Sequence, residues 1–305
     1  MDKLTRREFL ARGAGLGIVA GMGLFTTAKF MQAQTAPVKK GSIDLAIARG
    51  GDPAANTIKA VKALGGMARF VKKGNKVAIK PNPITPTPPE TAANTNPFVV
   101  EAVVKMCMEA GASDVVVLSH DDLRGFEGNG ILAATSRAGG RVLAAMRRDQ
   151  YQEVPVLRGK VLQRVEIINE LLDADVFINI PIAKHHGEAT VTFSMKNLMG
   201  VNWNRGYFHL NGLHQCIADI STVVKHDLVI MDANRILLTN GPSGPGETRE
   251  EKTVIAGTDP VAVDAFTTSL FNRNPEDIPH IQYAYELGVG EMNMNKLNID
   301  TIEVN

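Results

Sequence analysis

The chain has 305 residues, of which 44% are hydrophobic and 21% charged, and its formal net charge is +1. These values are typical of a folded protein with a substantial core and exclude a disordered or collagen-like chain. Aromatic residues make up 5% of the chain and its lysines and arginines are dispersed. We therefore expect no nucleic-acid partner.

The first 35 residues predict an export signal separate from the fold. Residues 5–10 read TRREFL, which matches a twin-arginine signal, and a glycine- and alanine-rich apolar run follows at 14–25. That run is short for a transmembrane helix, which needs about 20 residues. We expect the twin-arginine translocase as a partner and a periplasmic or otherwise exported protein. Ala28 and Thr35 are both candidate cleavage points, and an uncleaved membrane anchor is the alternative.

Apolar, strand-like runs then alternate with helical patterns. Strands are predicted at 43–50, 75–82, 113–122, 173–184, 227–238, 251–259 and 297–305. Helices are predicted at 53–71, 97–112, 214–224, 260–271 and 278–290. Strands that are apolar almost throughout and separated by helices indicate an α/β fold, with a mostly parallel sheet covered by helices on both faces. We expect a single large domain over 36–305, with a candidate small insertion at 125–165.

Polar side chains follow several of these strands, at the point where each strand ends. The groups in question are Lys80 with Asn82, His120 with Asp121, Lys184 to His186, Asp232 with Asn234, and Asp259. Ligands of open α/β sheets bind outside the carboxyl ends of the strands. The long proline-rich loop at 81–97 follows one of these ends, and loops of that length are more often functional than idle. We therefore expect one shared ligand site at this edge of the sheet.

Lysines and amides dominate the expected site. Lys80, Lys184 and Lys196, together with Asn82 and Asn197, would form a cationic, donor-rich pocket for a carboxylate or a phosphate. A lysine in a desolvated pocket also serves as a base or a Schiff-base former. The alternative is that each lysine pairs with a nearby aspartate, as most single lysines do.

Histidines raise the alternative of a divalent metal, with His120, His186 and His214 as candidate ligands. His185 and His186 are adjacent on a predicted strand, so their side chains point apart and only one faces the site. No metal-site spacing such as H-E-x-x-H is present. The two cysteines, Cys107 and Cys216, form no C-x-x-C motif and do not support an iron–sulfur cluster.

Other familiar motifs are missing from the sequence after the signal. The glycine-rich stretch at 239–248 has no Lys-Ser/Thr after it and is not a phosphate-binding P-loop. No G-x-G-x-x-G follows a predicted strand there, and no G-x-S-x-G is found. Neither dinucleotide binding nor a serine hydrolase is therefore supported.

The order of the motifs resembles a bacterial and archaeal family known as domain of unknown function 362. The pieces that carry the resemblance include IKPN, DADVFINIPIAKHH, MKNLMG and GTDPVAVDA, and the match extends over residues 43–291. Some members resemble fusions with ferredoxin-type iron–sulfur modules, which implies a redox partner protein, but this chain has no cysteine-rich segment. The polar positions implied by the resemblance are Lys80, Asn82, Lys184, His186, Lys196, Asn197, His214, Asp219, Asp232 and Asp264.

Together these observations predict an exported enzyme with a cationic pocket that binds a small anionic ligand. The candidate catalytic residues are Lys80, Lys184, His186 and Lys196. The candidate ligand-binding residues are Asn82, Asn197, His214, Asp232 and Asp264. A divalent metal remains a candidate cofactor. The alternative is a redox accessory or a non-catalytic binding protein that works with an iron–sulfur partner.

Overall fold

A computed structural model describes residues 43–305 of the chain. The predicted export signal lies outside these described residues. The strands, β1 to β12 in chain order, are Leu45–Arg49, Lys76–Lys80, Asp114–Ser119, Arg141–Ala144, Tyr151–Pro155, Arg164–Ile168, Val176–Asn179, Ile182–His186, Thr190–Thr192, Leu228–Leu237, Thr248–Gly257 and Ile299–Glu303. The helices, α1 to α10, are Pro53–Ala63, Pro97–Glu109, Leu123–Gly128, Ile131–Arg137, Asn169–Leu172, Ser194–Asn197, Arg205–Leu210, Leu213–Ser221, Pro260–Thr268 and Pro279–Glu286.

Ten of these strands form one sheet, whose central order is β12-β1-β11-β10-β7-β2-β3-β4. The run from β10 to β4 is parallel, and β12 is parallel to β1. Strand β11 is antiparallel to both of its neighbours. The predicted mostly parallel α/β sheet is confirmed, and β11 and the β8–β9 pair are the antiparallel departures from it. An apolar run at 251–259 shows burial but does not show strand direction.

Helices cover both faces of this sheet, as expected for parallel strands buried on both sides. Leu45 and Ile47 of β1 belong to a core that includes residues of α8, α9 and α10. The alternate residues Ala46 and Ala48 belong to a second core, built with α1 and α2. This alternation follows from the two-residue period of a strand.

Two pieces of β-structure extend from the main sheet. Strand β8 continues the chain beyond β7, pairs with β10 and forms an antiparallel ribbon with β9. Strands β5 and β6 form a separate two-stranded antiparallel sheet within residues 151–168. Strand β4, in contrast, lies in the main sheet beside β3.

The helices begin where the sequence places side-chain caps. Asp52, Asn96 and Asp259 accept hydrogen bonds from backbone N–H groups of the first turns of α1, α2 and α9, and a proline follows each of them. This combination is typical of helix N-termini. Among the described residues, no helix combines the length and the apolar character that crossing a membrane requires.

Candidate active site

A cavity of about 240 Å³ lies where β2, β8, β9 and α6 meet, at the carboxyl edge of the central strands. Seven of the residues singled out from the sequence line it: Lys80, Asn82, Asp121, Lys184, His186, Lys196 and Asn197. The volume is below the range of about 300–1,000 Å³ usual for drug-sized ligands. The cavity therefore suits a small molecule.

Lys80 ends β2 and is 1% exposed. Its Nζ donates to the carbonyl of Pro81 and, at 3.3 Å, to Oδ1 of Asn197. Asn82 donates to the same oxygen of Asn197 at 2.9 Å. Burial, opposed by the nearby Asp121 carboxylate, lowers the pKa of Lys80 to about 7. Burial therefore makes Lys80 easier to deprotonate than an exposed lysine.

Gly200 makes room for the Lys80 side chain. A Cβ on Gly200 would lie 2.5 Å from Cε of Lys80 and 2.8 Å from its Nζ. Real Cβ atoms do not approach other atoms so closely, so any larger residue would displace the amine. The glycine of the MKNLMG motif thus leaves the space that the end of the lysine side chain occupies.

Lys184 is fully buried, and its amine is surrounded by oxygens. Its Nζ donates to Oδ1 of Asn82 at 2.8 Å, to the carbonyl of Ala93 at 2.5 Å and to that of Pro242 at 2.9 Å. An ammonium has three donors, and these three acceptors use all of them. Burial lowers the pKa of Lys184 well below its ordinary value, while the three acceptors favour the charged form. No donor of Lys184 is left for a ligand.

Lys196, on α6, differs from the other two lysines. Over residues 43–305 its side chain makes no hydrogen bond and no ion pair. Burial and the positive charge of Arg205 lower its pKa to about 8. Lys196 is therefore the amine of the cavity with its donors still available.

His186 ends β8 and is held as a neutral ring. Its Nδ1 accepts from the backbone N–H of Glu188 at 3.2 Å and of Ala189 at 3.1 Å. Burial, together with the positive charges of Lys196 and Lys184, lowers the pKa of His186 to about 3. The preceding His185 points elsewhere, and its Nδ1 accepts from the N–H of Gly241 at 3.1 Å.

Asp121 is the one carboxylate among the described residues that line the cavity. It forms an ion pair with Arg205 at 3.0 Å and accepts a hydrogen bond from Oγ of Ser119 at 2.5 Å. These partners occupy both carboxylate oxygens. Asp121 therefore interacts with Arg205 and Ser119. It forms no ion pair with the lysines of the cavity.

Three of the predicted ligand-binding residues hold the scaffold around the cavity. Asp264 of α9 accepts from the backbone N–H of Ser194 at 2.8 Å and of Met195 at 3.1 Å, at the start of α6. Burial raises the pKa of Asp264 to about 7. Asp232 accepts from the N–H of Asn96 at 2.7 Å, and His214 contacts a second histidine, His280, at 3.0 Å between their Nδ1 atoms.

The three candidate metal ligands, His120, His186 and His214, each contact other groups of the protein. His120 packs between the rings of Tyr151 and Trp203, with centroids 5.5 and 5.0 Å away. The Nδ1 of His186 is already engaged by two backbone amides, and His214 is paired with His280. Within the described part of the chain, no group of three or more His, Cys, Asp or Glu residues is arranged to hold a metal ion.

Some residues of the cavity were not singled out from the sequence. Thr192 and Arg205 both line it, as do Gly200 and Pro242. Thr192 lies opposite Lys184 in the β8–β9 ladder. Gly200 belongs to the MKNLMG motif, which is a signal for it in the sequence. The alternation of side chains along β9 is a signal for Thr192. No local sequence pattern indicates Arg205.

Fold and site define an α/β protein with an amine-rich cavity at the carboxyl edge of its sheet. The model of the family described as "Domain of unknown function (DUF362)" matches residues 77–269. The chain belongs to this family, which confirms the resemblance seen in its motifs.

Two further comparisons report similar proteins. A thylakoid-associated protein of Synechocystis sp. is 30% identical over 240 residues, covering 75% of this chain and 73% of that protein. The lactate racemase apoprotein from Thermoanaerobacterium thermosaccharolyticum is similar with a TM-score of 0.45 and 13% identity. That match covers 71% of this chain, which spans about half (54%) of the racemase chain.

Proposed function

We propose that the cavity binds a small anionic ligand and that the protein acts on this ligand as an enzyme. The observation that carries the proposal is the amine of Lys196, which faces the cavity without a hydrogen bond or an ion pair anywhere in residues 43–305. The side chain of Lys196 is half-buried, and a partly desolvated ammonium is stabilised by an anionic partner. A ligand carboxylate or phosphate would supply that partner.

The charges around the cavity support an anion over a neutral ligand. Lys80, Lys196 and Arg205 line it with a single carboxylate, Asp121, which is paired with Arg205. Neither Lys80 nor Lys196 therefore forms an ion pair within the described residues. Lys184 lies behind them, and its own donors are used by neutral oxygens.

The lowered pKa values of the two amines suit acid–base work. An effective general base has a pKa near the operating pH, and the pKa of Lys80 is about 7 while that of Lys196 is about 8. In their neutral forms both amines also have the lone pair that proton abstraction or nucleophilic attack requires. We assign Lys80 and Lys196 to the chemistry and Lys184 to the positioning of Asn82.

The experiment measures the thermal stabilisation of the protein by sulfate and by glutarate. We expect both anions to stabilise the wild type and Lys196→Met to lose most of this effect. The control is Lys160→Met, which removes one positive charge from a surface lysine paired with Glu286 and should leave the effect intact. Equal stabilisation of the wild type and Lys196→Met would refute the proposal.

The pH dependence of binding provides an independent readout. A bound anion favours the ammonium forms of Lys80 and Lys196, whose pKa values are lowered in the protein to about 7 and about 8. Affinity for sulfate should therefore fall as the pH rises from about 7 to about 9, by up to about tenfold per unit for each lysine that loses its proton. Calorimetry at several pH values measures this fall, and Lys196→Met should show a shallower one.

We also propose that the protein reaches its place of action through the twin-arginine route. The sequence of residues 5–10 supports the proposal. So does the name of the Synechocystis relative, which describes that protein as thylakoid-associated.

A further inference from the structure

The tautomer of His186 follows from its two backbone contacts. Backbone N–H groups only donate, and two of them point at Nδ1 of His186, from Glu188 and Ala189. That nitrogen must therefore carry the lone pair, and the proton of the neutral ring must lie on Nε2. Lys196 and Lys184, which lie close enough to lower the pKa of the ring, work against its protonation. His186 thus offers the cavity a neutral donor.

A second donor lies on the same side of the ribbon. Side chains alternate along a strand, so Lys184 and His186 share one face of β8, and Thr192 lies directly opposite Lys184 on β9. Thr192 lines the cavity and is 3% exposed. Its Oγ1 is buried and has no hydrogen-bond partner in the described structure. Buried polar atoms are nearly always hydrogen-bonded, so this hydroxyl lacks an expected partner.

We propose that Nε2–H of His186 and Oγ1–H of Thr192 form a neutral subsite that binds an uncharged carbonyl or hydroxyl oxygen of the ligand. The inference rests on the proposed function, in which Lys80 and Lys196 bind the anionic group of the same molecule. The ligand class is then a small anion with an additional carbonyl or hydroxyl oxygen.

The chemistry of the two donors selects this kind of oxygen. With the proton on Nε2, this nitrogen of His186 can only donate, so its partner must be an acceptor. A charged acceptor is better served by the amines of Lys80 and Lys196, because hydrogen bonds between ionised partners are the stronger ones. The neutral donors are therefore available for the uncharged oxygen, and they distinguish the ligand from an anion that lacks it.

The first test examines the protein without any ligand. Nitrogen NMR of ¹⁵N-labelled histidine reports which ring nitrogen carries the proton. We expect His186 to be neutral and protonated on Nε2 from pH about 5 to about 9. A ring protonated on Nδ1, or a cationic ring within this range, would overturn the inference whatever the ligand is.

The second test compares glutarate with 2-oxoglutarate, which have the same charge and chain length and differ by one carbonyl oxygen. The wild type should bind 2-oxoglutarate about five to ten times more tightly, the effect of one or two neutral hydrogen bonds. Thr192→Val keeps the shape of the side chain and removes the hydroxyl while Nε2–H of His186 remains, so it should reduce the preference for 2-oxoglutarate and change glutarate binding far less.

Thr135→Val is the matched control. Thr135 in α4 also has a buried, unpartnered hydroxyl within the described structure, but it does not line the cavity. Neither valine variant breaks a hydrogen bond, so both should be as stable as the wild type in the absence of ligand, and Thr135→Val should keep the preference for 2-oxoglutarate.

The outcomes separate the two proposals. If both acids bind equally well to the wild type and Lys196→Met weakens both, the subsite is refuted and the anion site stands. If the wild type is stabilised neither by sulfate nor by either acid, the proposed function fails and the subsite fails with it.

Discussion

Single residues decide which amine of the cavity has donors free for a ligand. The three lysines are alike in sequence, yet the three oxygens around Lys184 use all of its donors, whereas Lys196 has no such partner among the described residues. Lys80 is intermediate between the two. Its amine donates hydrogen bonds to Pro81 and Asn197, and the end of its side chain packs against Gly200. Lys196 has the largest number of free donors and is therefore the first candidate to contact the proposed anion.

Gly200 provides a test of the position of Lys80. In Gly200→Ala, the new methyl would lie 2.5 Å from Cε of Lys80, so the amine must move away from Asn197. We expect a loss of about 1–3 kcal/mol in the free energy of unfolding, as for other overpacked sites. We also expect stabilisation by sulfate to decrease. Urea unfolding with and without sulfate measures both effects.

The control for this change is Gly187→Ala, where the nearest atom to the new methyl is 3.9 Å away. Gly187→Ala adds the same group beside His186 without a clash, so it should preserve the response to sulfate. A Gly200→Ala protein that binds sulfate like the wild type would show that the position of Lys80 is not critical.

At the residue scale, the side chains that leave the ends of strands can be predicted from the sequence. Lys80, Asn82 and His186 lie where the ends of β2 and β8 place them, and all line the cavity. Burial and hydrogen-bond partners cannot be predicted in this way. The acceptors of Lys184 come from positions 82, 93 and 242, which are distant in sequence, so its saturation is visible only in three dimensions.

Among the elements, helix α6 carries Lys196 and Asn197. Helix α9 stabilises the N-terminus of α6. Residues 194–197 form little more than one turn, too short to be stable alone. Asp264 of α9 accepts from the first two backbone N–H groups of this turn. An aspartate that looked like a ligand-binding candidate therefore fixes the geometry of an element that carries two cavity residues.

Removing this carboxyl should loosen α6. Asp264→Ala leaves the N–H groups of Ser194 and Met195 buried without an acceptor, so we expect a loss of about 2–4 kcal/mol in the free energy of unfolding. Asp264→Asn keeps one acceptor oxygen and should lose less. Chemical denaturation gives these values, and the weakening of sulfate binding shows whether Lys196 has moved.

The comparison is Asp277→Ala, which removes an exposed cap that accepts from the N–H of Asn274. That change should cost only about 1 kcal/mol and leave sulfate binding unaltered. A loss no larger in Asp264→Ala than in Asp277→Ala would contradict the structural role assigned to Asp264.

Periodicity and composition predict where helices and strands lie better than they predict which strands pair. Apolar patterns in the sequence correctly indicate the strands that end at the carboxyl edge of the sheet. They also indicate the helices α1, α2, α8, α9 and α10. The direction of β11 and the pairing of β8 with β9 depend on long-range contacts that no local pattern reports. The β8–β9 ribbon nevertheless brings Thr192 beside Lys184, and with it the second donor of the proposed neutral subsite.

For the molecule as a whole, the cavity requires elements from most of the described chain. Its lining residues run from Lys80 to Pro242, and Asp264 supports it from a later helix. The site can therefore exist only after the whole domain has folded. This property is compatible with the twin-arginine route, which carries proteins that are already folded.

The export proposal predicts a specific dependence on the arginine pair. Changing Arg6 and Arg7 together to lysine keeps the charge of the leader but removes the paired guanidinium groups of the TRREFL motif. We expect the double variant to accumulate in the cytoplasm with a folded, anion-binding domain, since neither residue belongs to the fold over 43–305. Cell fractionation and stabilisation by sulfate measure the two properties. Arg12→Lys, outside the pair, should be exported normally, and export of the double variant at the wild-type level would exclude the twin-arginine route.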